Sequence, residues 1–555
     1  MRKTLTTLLC TALCVSVLAG CGDTPSDAGE QQGTPTSGSG DTAVSEGESD
    51  GKQGNVTPVG EYPIVKEPVT MKIMGRKDPG APDWGELEIF RRLTQITNIQ
   101  FEFEMSETSV FAEQKNIALV GGEYPDMIWR DDSSAITDEE TYGPQGVFLE
   151  LSGLIEEYAP NIKAMLEANP DVKAAITSLD GKIYGLPYVF STATTQGHLG
   201  FFDSRWMENV GITKVPETTD ELYEMLKAFK EQDANGNGDP NDEIPFTCVG
   251  LTSTMGDLLI PAFTGVPVGL GFNIKEGKVV YAPALPEYKE FLIYAHKLYE
   301  EGLLDPEFST QTMQQWQAKV KSDLCGVYSM SPTGRDAETT TTRQLSLPPL
   351  TSATNSERVV KKPDYMFPGR AFITDKCENP EAAMRLLDMF YATEENAVQG
   401  FCGTTVFAGW EGEHWEYTDD TETAYQWIAP ITGFGDINKT ISVNMELPGY
   451  LNFHAMPVGS PLMENKVEQV REMQAPYYTS SPLPYVRFTT EESDRGNVIE
   501  NDLYTHVVMM TTKFITGEES IDNFDSYLDT LEQIGLSELT AIKEAALERW
   551  NEALK

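Results

Sequence analysis

The stretch Val69-Thr70-Met71-Lys72-Ile73-Met74 predicts a strand, and the residues after it decide the fold. A helix is expected from Trp84. Residues 99–103 (Ile-Gln-Phe-Glu-Phe) alternate apolar and polar side chains, which predicts a second strand. A helix over residues 110–120 and a short strand at 126–129 continue the series. Strands and helices in alternation indicate an α/β fold with a mostly parallel sheet.

Capping signals predict further helices downstream. Thr218 and Glu221 have the spacing of a capping box, in which each residue bonds the other's backbone N–H. Asn379 precedes Pro380, which suits the first position of a helix. Gly535 follows an apolar periodic segment and is expected to end a helix.

Charge excludes two classes of partner. The chain has 555 residues, with 86 acidic and 41 basic side chains, and its formal net charge is −45. Nucleic acids and anionic lipid surfaces require a basic face, so neither is an expected partner. Hydrophobic residues make up 40%, which is enough for a substantial core in a chain of two or three domains.

The N-terminus predicts secretion and an anchor. A basic start is followed by an apolar run over residues 5–17 and then by Leu18-Ala19-Gly20-Cys21. Residues 1–20 therefore have the pattern of a signal peptide. Leu-Ala-Gly-Cys resembles the lipobox of bacterial lipoproteins, which implies that Cys21 carries a diacylglycerol (palmitate-type) anchor. Residues 21–60, rich in Gly, Ser, Asp and Glu, predict a disordered tether. The expected location is the outer face of the cytoplasmic membrane, with membrane contact through the anchor only; a Gram-positive cell surface suits it.

The remaining cysteines do not form a motif. Cys248, Cys325, Cys377 and Cys402 are far apart, and none has the spacing of a CxxC pair. Four cysteines in a body of this size favour buried free thiols over a disulfide scaffold. The spacing leaves open whether Cys377 and Cys402 pair.

Residues 233–243 (Asp-Ala-Asn-Gly-Asn-Gly-Asp-Pro-Asn-Asp-Glu) predict a cation-binding loop. Oxygen-bearing side chains at alternate positions turn inward around a cation, and a flexible set of hard oxygens favours Ca²⁺. An EF-hand has Glu at position twelve, whereas here Glu243 stands one place earlier and Pro245 follows, so the loop is only EF-hand-like. The expected ligands of a structural Ca²⁺ are Asp233, Asn235, Asn237, Asp239, Asp242 and Glu243. A polar turn that binds nothing is the alternative.

Several segments, in order, resemble the extracellular solute-binding proteins of bacterial ABC importers, family 1, in the oligosaccharide- and alginate-binding branch. Asp180-Gly-Lys-Ile-Tyr-Gly-Leu-Pro187 resembles that family's Asp-Gly-Lys-x-Tyr-Gly-Leu-Pro almost letter for letter. Gly122-Glu-Tyr-Pro-Asp126 and the segment from Trp206 to Thr218 are similar to further family motifs. The cation loop with Glu243-Ile-Pro245 is similar to another, with one extra residue in this chain.

The resemblance implies a two-lobed periplasmic-binding-protein-like α/β fold with mostly parallel central sheets and a hinge between lobes. The solute-binding module is expected over residues 61–555. Lobe 1 is expected at about 66–190 and about 368–440, and lobe 2 at about 195–365 and about 445–555.

Such clefts hold sugars on aromatic rings and hydrogen-bond their hydroxyl groups with polar side chains. The ligand-binding candidates are Trp84, Trp129, Asp126, Tyr184, Tyr188 and Trp410, with Tyr477, Tyr478 and Arg370 as weaker ones. Trp84 and Trp129 follow strand ends, where α/β sheets place ligands. Core packing is the alternative for each aromatic residue, and a salt bridge for Asp126 and Arg370.

The expected function is a lipid-anchored substrate-binding component of an ABC importer. It captures an oligosaccharide or related carbohydrate by hinge closure and delivers it, as a monomer, to the permease subunits. No enzyme is expected, because the five histidines are scattered and the common hydrolase and nucleotide-binding motifs are missing. The alternatives are a surface glycan-degrading enzyme and a lipoprotein that binds peptides or other polar solutes.

Overall fold

The computed structural model describes residues 54–129, 135–192, 200–251, 254–328, 344–362, 366–418, 420–443, 447–458, 470–479 and 483–555. The predicted signal peptide, Cys21 and the tether up to residue 53 lie outside these ranges. The tether prediction is wrong at its C-terminal end, because residues 54–60 are folded. Val56 forms a β-bridge with Val65, and the Arg385 guanidinium donates to the Thr57 carbonyl at 2.6 Å. The folded body therefore includes residues 54–60.

Strands and helices alternate at the N-terminus as expected, and further strands occur as far as the C-terminal third of the chain. Their bounds are β1 Val69–Lys77, β2 Ile99–Glu107, β3 Met127–Trp129, β4 Gly185–Thr192, β5 Phe201–Asp203, β6 Ile244–Thr247, β7 Phe272–Lys275, β8 Lys278–Tyr281, β9 Cys325–Tyr328, β10 Gln344–Ser346, β11 Val360–Lys361, β12 Met366–Ile373, β13 Trp415–Tyr417, β14 Ala424–Trp427, β15 Gly449–Phe453, β16 Met456–Pro457 and β17 Tyr478–Thr479.

The α-helices are α1 Glu88–Thr97, α2 Thr108–Gly121, α3 Ala135–Tyr142, α4 Ser152–Tyr158, α5 Pro160–Ala168, α6 Pro170–Ile176, α7 Ser204–Asn209, α8 Thr219–Glu231, α9 Ile260–Thr264, α10 Pro286–Glu300, α11 Met313–Lys321, α12 Pro380–Met389, α13 Gly403–Ala408, α14 Phe434–Thr440, α15 Thr490–Thr516, α16 Phe524–Ile534 and α17 Leu536–Ala553. The capping predictions are confirmed. Thr218 and Glu221 form a capping box on α8, and Pro380 opens α12. Gly535 ends α16 with φ +124°.

A six-stranded sheet forms the centre of the first lobe. Its strand order is β15-β4-β12-β3-β1-β2, and β12 runs antiparallel to both of its neighbours while the other pairs are parallel. The first lobe's core includes Ile73 of β1 and Leu93 of α1, both fully buried. The carboxyl ends of five strands therefore lie along one edge, together with the amino end of β12.

A smaller mixed sheet forms the centre of the second lobe. Its order is β10-β5-β9-β6, with β5 antiparallel to both neighbours and β9 parallel to β6. A separate core packs around it, with Leu226 of α8 and Leu292 of α10 fully buried. The carboxyl ends of β6, β9 and β10 share one edge with the amino end of β5.

The chain passes between the two lobes three times. It leaves the first sheet after β4 and enters the second at β5, and it returns between β10 and β12. It leaves again after β15 for α15, whose Leu503 and Val507 belong to the second core. Two α/β lobes joined by crossing segments agree with the expected fold class.

The expected lobe boundary at residue 445 is wrong. Strand β15 pairs in parallel with β4, so residues 449–453 belong to the first lobe. The C-terminal helices belong to the second core but also contact the first lobe, and Trp550 packs against both cores. The structure thus adds a contact between the lobes that the sequence pattern did not predict.

The thiols agree with the favoured prediction. Cys248, Cys325, Cys377 and Cys402 are all buried and free, so Cys377 and Cys402 are not bonded. Within the described ranges, none of the helices combines the length and the apolar run needed to cross a bilayer.

Candidate ligand-binding cleft

The crossings fix where a cleft between the lobes must lie. The chain leaves the first sheet at the carboxyl end of β4 and enters the second at the amino end of β5. The edge that holds these ends in each sheet is therefore turned toward the other lobe. Open α/β sheets bind ligands outside the carboxyl ends of their strands. We take these two edges as the candidate binding cleft and call them the first and second cleft edges.

A short stack of aromatic rings lies at the first cleft edge. Tyr188 and Phe190 of β4 stack at 5.7 Å between ring centroids, and Phe190 stacks on Phe367 of β12 at 5.6 Å. The Arg370 guanidinium lies 4.8 Å from the centroid of Phe367. Gly369, with φ +63°, lies within the irregularity of β12 that brings these two side chains together. Tyr188 and Phe190 are buried in a small hydrophobic cluster, so the half-buried Phe367 is the ring of this stack that could contact the C–H face of a sugar.

Polar side chains follow the parallel strands of the same edge. At the end of β1, the Lys77 ammonium donates a hydrogen bond to the Asp83 carboxylate at 2.5 Å, and this bond raises the pKa of Lys77. The Thr108 hydroxyl donates to Asp78 at 3.0 Å. This edge therefore presents both hydrogen-bond donors and acceptors.

A buried network holds the carboxyl end of β6 at the second cleft edge. Asp305 accepts hydrogen bonds from the Thr247 hydroxyl and the Lys319 ammonium, each at 2.7 Å, and from Gln311 at 3.2 Å. Because Asp305 is 2% exposed and well paired, the strand end is a rigid support. The chain continues from it to Thr254 and to a π-helical turn, Met255–Leu259.

Two predicted sugar-stacking tryptophans lie inside the first core. Trp84 and Trp129 are fully buried, and their rings are 6.4 Å apart. Trp84 also stacks on Phe90 at 5.8 Å, and a Cβ on Gly75 would lie 2.7 Å from its ring. In this arrangement no ring face is open to a ligand. The predicted ligand-binding role of Trp84 and Trp129 stays a prediction, and their burial argues against it.

Asp126 and Tyr184 lie at the amino edge of the first sheet, away from the cleft. Asp126 precedes β3 and accepts a hydrogen bond from the Lys72 N–H at 2.8 Å, while burial raises its pKa. Tyr184 precedes β4 and donates to Asp180 at 2.6 Å; burial and this carboxylate raise its pKa. As placed, neither can reach a ligand between the lobes.

The other aromatic candidates divide between packing and the cleft. Trp410 is 4% exposed, belongs to the first core and packs under the Arg92 guanidinium of α1, 4.2 Å from the ring centroid. Tyr188 belongs to the aromatic stack described above but is only 2% exposed. Tyr477 and Tyr478 are half-buried, pack against the second core and lie in the crossing segment between β15 and α15. The structure therefore brings Tyr188, Tyr478 and Arg370 to the cleft and leaves Trp410 outside it.

The predicted cation loop winds through a series of side-chain turns. Gly236 (φ +74°) and Gly238 (φ +94°) allow the chain to curl, and the Gly238 N–H donates to Asp233 at 2.9 Å. Asp242 accepts from the Asn235 and Asn237 amides at 3.0 and 2.7 Å. The loop is thus compact and rich in oxygen atoms.

Two carboxylate oxygens in this loop lack a hydrogen-bond partner among the described residues. They are Asp233 Oδ1 and Glu243 Oε2, both buried. Glu243 is 4% exposed, and burial raises its pKa. In the described part of the chain no three His, Cys, Asp or Glu side chains cluster closely enough to hold a metal ion. A cation here would therefore depend on asparagine and backbone oxygens as well, and the two unpartnered oxygens fit that need.

Sequence reasoning missed most of the cleft residues. Phe190 shares a strand face with Tyr188 two residues earlier, and that spacing could have identified it. Phe367 reaches the cleft only because β12 is inserted antiparallel between β3 and β4. Thr254 and Asp257 follow β6 without any motif, so no local signal marks them.

Comparisons with known proteins identify the family. A family described as bacterial extracellular solute-binding protein matches residues 86–397. The fructooligosaccharide ABC transporter substrate-binding protein FusA of Streptococcus pneumoniae is 27% identical over 86% of this chain and 90% of its own length. The lipoprotein LipO of Bacillus subtilis is 28% identical over 43% of this chain and 45% of its own.

Solved structures share the fold. An extracellular solute-binding protein from Bifidobacterium longum subsp. infantis has a TM-score of 0.75 at 23% identity, covering 88% of this chain and 99% of its own. A FusA EF-hand mutant from S. pneumoniae in complex with fructo-nystose has a TM-score of 0.70 at 23% identity, covering 87% of this chain and 100% of its own. At this identity the likeness concerns the fold alone.

Proposed function

The chain belongs to the bacterial extracellular solute-binding proteins, and from that membership we propose that it is the substrate-binding component of an ABC importer that captures an oligosaccharide. The observation that carries the proposal is the pair of facing cleft edges joined by three crossings. A ligand that contacts both edges favours the closed arrangement of the lobes, and the closed form is the one that docks on the permease.

The family and the similar proteins are binding proteins, not enzymes. We therefore propose binding without catalysis. A surface glycan-degrading enzyme and a peptide-binding lipoprotein are the competing functions. Incubation with polysaccharides distinguishes a glycan-degrading enzyme from a binding protein, because a binding protein releases no shortened product. Parallel titrations with peptides and with sugars distinguish a peptide-binding lipoprotein from a sugar-binding protein.

We propose that Cys21 carries the lipid anchor and that the protein acts as a monomer on the outer face of the cytoplasmic membrane. The lipobox-like sequence supports the anchor, and LipO, a relative, is a lipoprotein by name. Two acyl chains provide the two hydrophobic signals that stable anchoring requires. The residues between Cys21 and residue 54 then tether the binding module near its permease.

Replacing Cys21 with alanine is expected to move the protein from the membrane fraction to the medium without loss of ligand binding. The melting temperature of the released protein is then measured in the presence of fructans, milk-type oligosaccharides, alginate oligosaccharides or N-glycans. At least one glycan should raise the melting temperature. Release of the wild type into the medium to the same extent as the variant would exclude the anchor. A flat response of both the variant and the wild type to every glycan would exclude the carbohydrate function.

We further propose that residues 233–243 bind a structural Ca²⁺. The support is the set of oxygen ligands and the two buried carboxylate oxygens without a partner. The ion would satisfy both oxygens and hold the end of α8 against β6. It has no part in contact with the ligand, because the loop lies at the amino end of β6, opposite the second cleft edge.

Saturating Ca²⁺ is expected to stabilise the wild type, by about 2.7 kcal/mol at a hundredfold excess over Kd. Glu243→Gln should lose most of this stabilisation, because it removes one buried charged ligand. The matched control is Glu231→Gln, an exposed residue at the end of α8. Differential scanning calorimetry with EDTA and with added Ca²⁺ measures the difference. Equal melting curves in EDTA and Ca²⁺ for the wild type would exclude the ion.

A further inference from the structure

Asp257 lies in the π-helical turn Met255–Leu259 at the second cleft edge, and its carboxylate is poorly solvated. Its side chain is half-buried, and burial raises its pKa to about 6 against a smaller lowering by Lys361. In the part of the chain that the structure describes, it makes neither a hydrogen bond nor an ion pair. A desolvated carboxylate without donors is costly for the fold, so a binding role would explain its presence.

Two hydroxyl groups near this turn also lack partners. Thr254, one turn before Asp257, is fully buried, and its Oγ1 has no hydrogen bond among the described residues. Its methyl group faces Gly200, because a Cβ on Gly200 would lie 3.1 Å from Thr254 Cγ2. The hydroxyl of Tyr478 is likewise buried and unpartnered. Three polar groups at one edge are thus left without donors or acceptors.

Strand pairing links the segments that carry these groups. The strand β11 contacts the π-helical turn, and Val360 of β11 lies opposite Tyr478 of β17. Both strands belong to segments through which the chain crosses between the lobes. The segments that carry the three groups therefore lie on the hinge side of the cleft.

We propose that Asp257, Thr254 and Tyr478 form a subsite of the second lobe that binds adjacent hydroxyl groups of a neutral sugar ring. This inference rests on the proposed function. A carboxylate accepts hydrogen bonds from two neighbouring hydroxyls, and the Thr and Tyr hydroxyls both donate and accept. An acidic sugar would place a second negative charge beside Asp257, and a body with a formal charge of −45 would repel it further. The subsite therefore selects neutral oligosaccharides over uronates and sialylated glycans.

The test compares folding with binding in four variants: Asp257→Asn, Thr254→Val, Tyr478→Phe and the control Asp529→Asn. Asp529 is an exposed residue of α16 without contacts to the cleft. The probe is the glycan of the panel above that binds the wild type most tightly, and titration calorimetry gives its Kd. Melting of the ligand-free proteins is measured in parallel.

Asp257→Asn is expected to weaken binding about ten- to a hundredfold, since hydrogen bonds to a charged group are lost. Thr254→Val and Tyr478→Phe are expected to weaken it about three- to tenfold each. Because each variant removes a poorly satisfied polar group, the ligand-free melting temperature should stay equal or rise. The control should change neither quantity.

The outcomes separate the inference from the proposed function. If the wild type binds a glycan and Asp257→Asn binds it equally well, the subsite is wrong and the proposed function stands. A lower melting temperature in ligand-free Asp257→Asn would show a structural carboxylate and would also overturn the subsite. If an acidic oligosaccharide is the tightest ligand, selection of neutral sugars is wrong. If no glycan binds the wild type, the proposed function itself fails, and the subsite with it.

Discussion

Replacing Gly403 with alanine is expected to lower the free energy of unfolding by at least about 3 kcal/mol. Gly403 begins α13, and a Cβ there would lie 1.9 Å from the backbone oxygen of Tyr450. The Phe390 carbonyl lies 3.2 Å from the same position. Neither neighbour can yield by a rotamer change, because both are backbone atoms and Tyr450 belongs to β15, paired with β4. The edge of the first sheet must therefore shift, and the cleft edge with it.

The matched control is Gly435→Ala in α14. Gly435 also lies in the first turn of a helix, but a Cβ there would meet nothing within 4 Å. Alanine loses less backbone entropy than glycine, so this variant should be neutral or stabilised by up to about 1 kcal/mol. Urea titrations followed by tryptophan fluorescence compare the midpoints. Equal midpoints for the two variants would contradict the close packing of α13 on β15.

Local patterns predicted the first half of the first sheet well. Alternating or β-branched runs gave β1, β2 and β3 to within a few residues, because each strand's side-chain periodicity is a local property. The capping box at Thr218 was equally local. The insertion of β12 between β3 and β4, and the return of β15 to β4, depend on contacts more than 170 residues apart in sequence. No periodicity records such pairings, and the boundary at 445 was wrong for that reason.

The candidate site was predicted less well, because the position of a strand end does not show which side chains are accessible to a ligand. Trp84 and Trp129 do follow strand ends, yet Gly75 leaves room for the Trp84 ring to pack inward. Asp126 and Tyr184 belong to family-like motifs, but they precede their strands and so lie at the amino edge. Asp257 has no motif at all, and only its missing partners single it out. Which side chains line the candidate cleft therefore depends on the tertiary structure, and the sequence composition does not predict it.

Replacing Arg487 with methionine is expected to lower the free energy of unfolding by about 3–5 kcal/mol, because it breaks buried ion pairs and leaves two carboxylates without their cation. Arg487 is 5% exposed, and its guanidinium pairs with the fully buried Glu139 of α3 and with the neighbouring Glu140 at 3.5 Å. It also donates twice to the Ala175 carbonyl, at 3.0 and 2.7 Å. Its own carbonyl accepts from Arg549 of α17. The residue therefore joins the first lobe to the C-terminal helices.

The control for Arg487 is Arg495→Met. Arg495 pairs with Glu538 through two hydrogen bonds of 2.7 and 2.6 Å, but both side chains are about half exposed. An exposed pair of this kind contributes only about 0.2–1 kcal/mol, so the midpoint should barely move.

A second variant separates charge from packing at Arg487. The double substitution Glu139→Gln with Arg487→Met removes the more deeply buried of the two stranded carboxylates, and it should recover part of the lost stability. If the double variant is no more stable than Arg487→Met alone, the loss comes from the Ala175 hydrogen bonds, the packing and the pairing with Glu140. If Arg487→Met unfolds at the wild-type midpoint, this contact does not hold the lobes together. Because the contact lies between the lobes, loss of stability should come with a larger radius of gyration in X-ray scattering of the ligand-free protein.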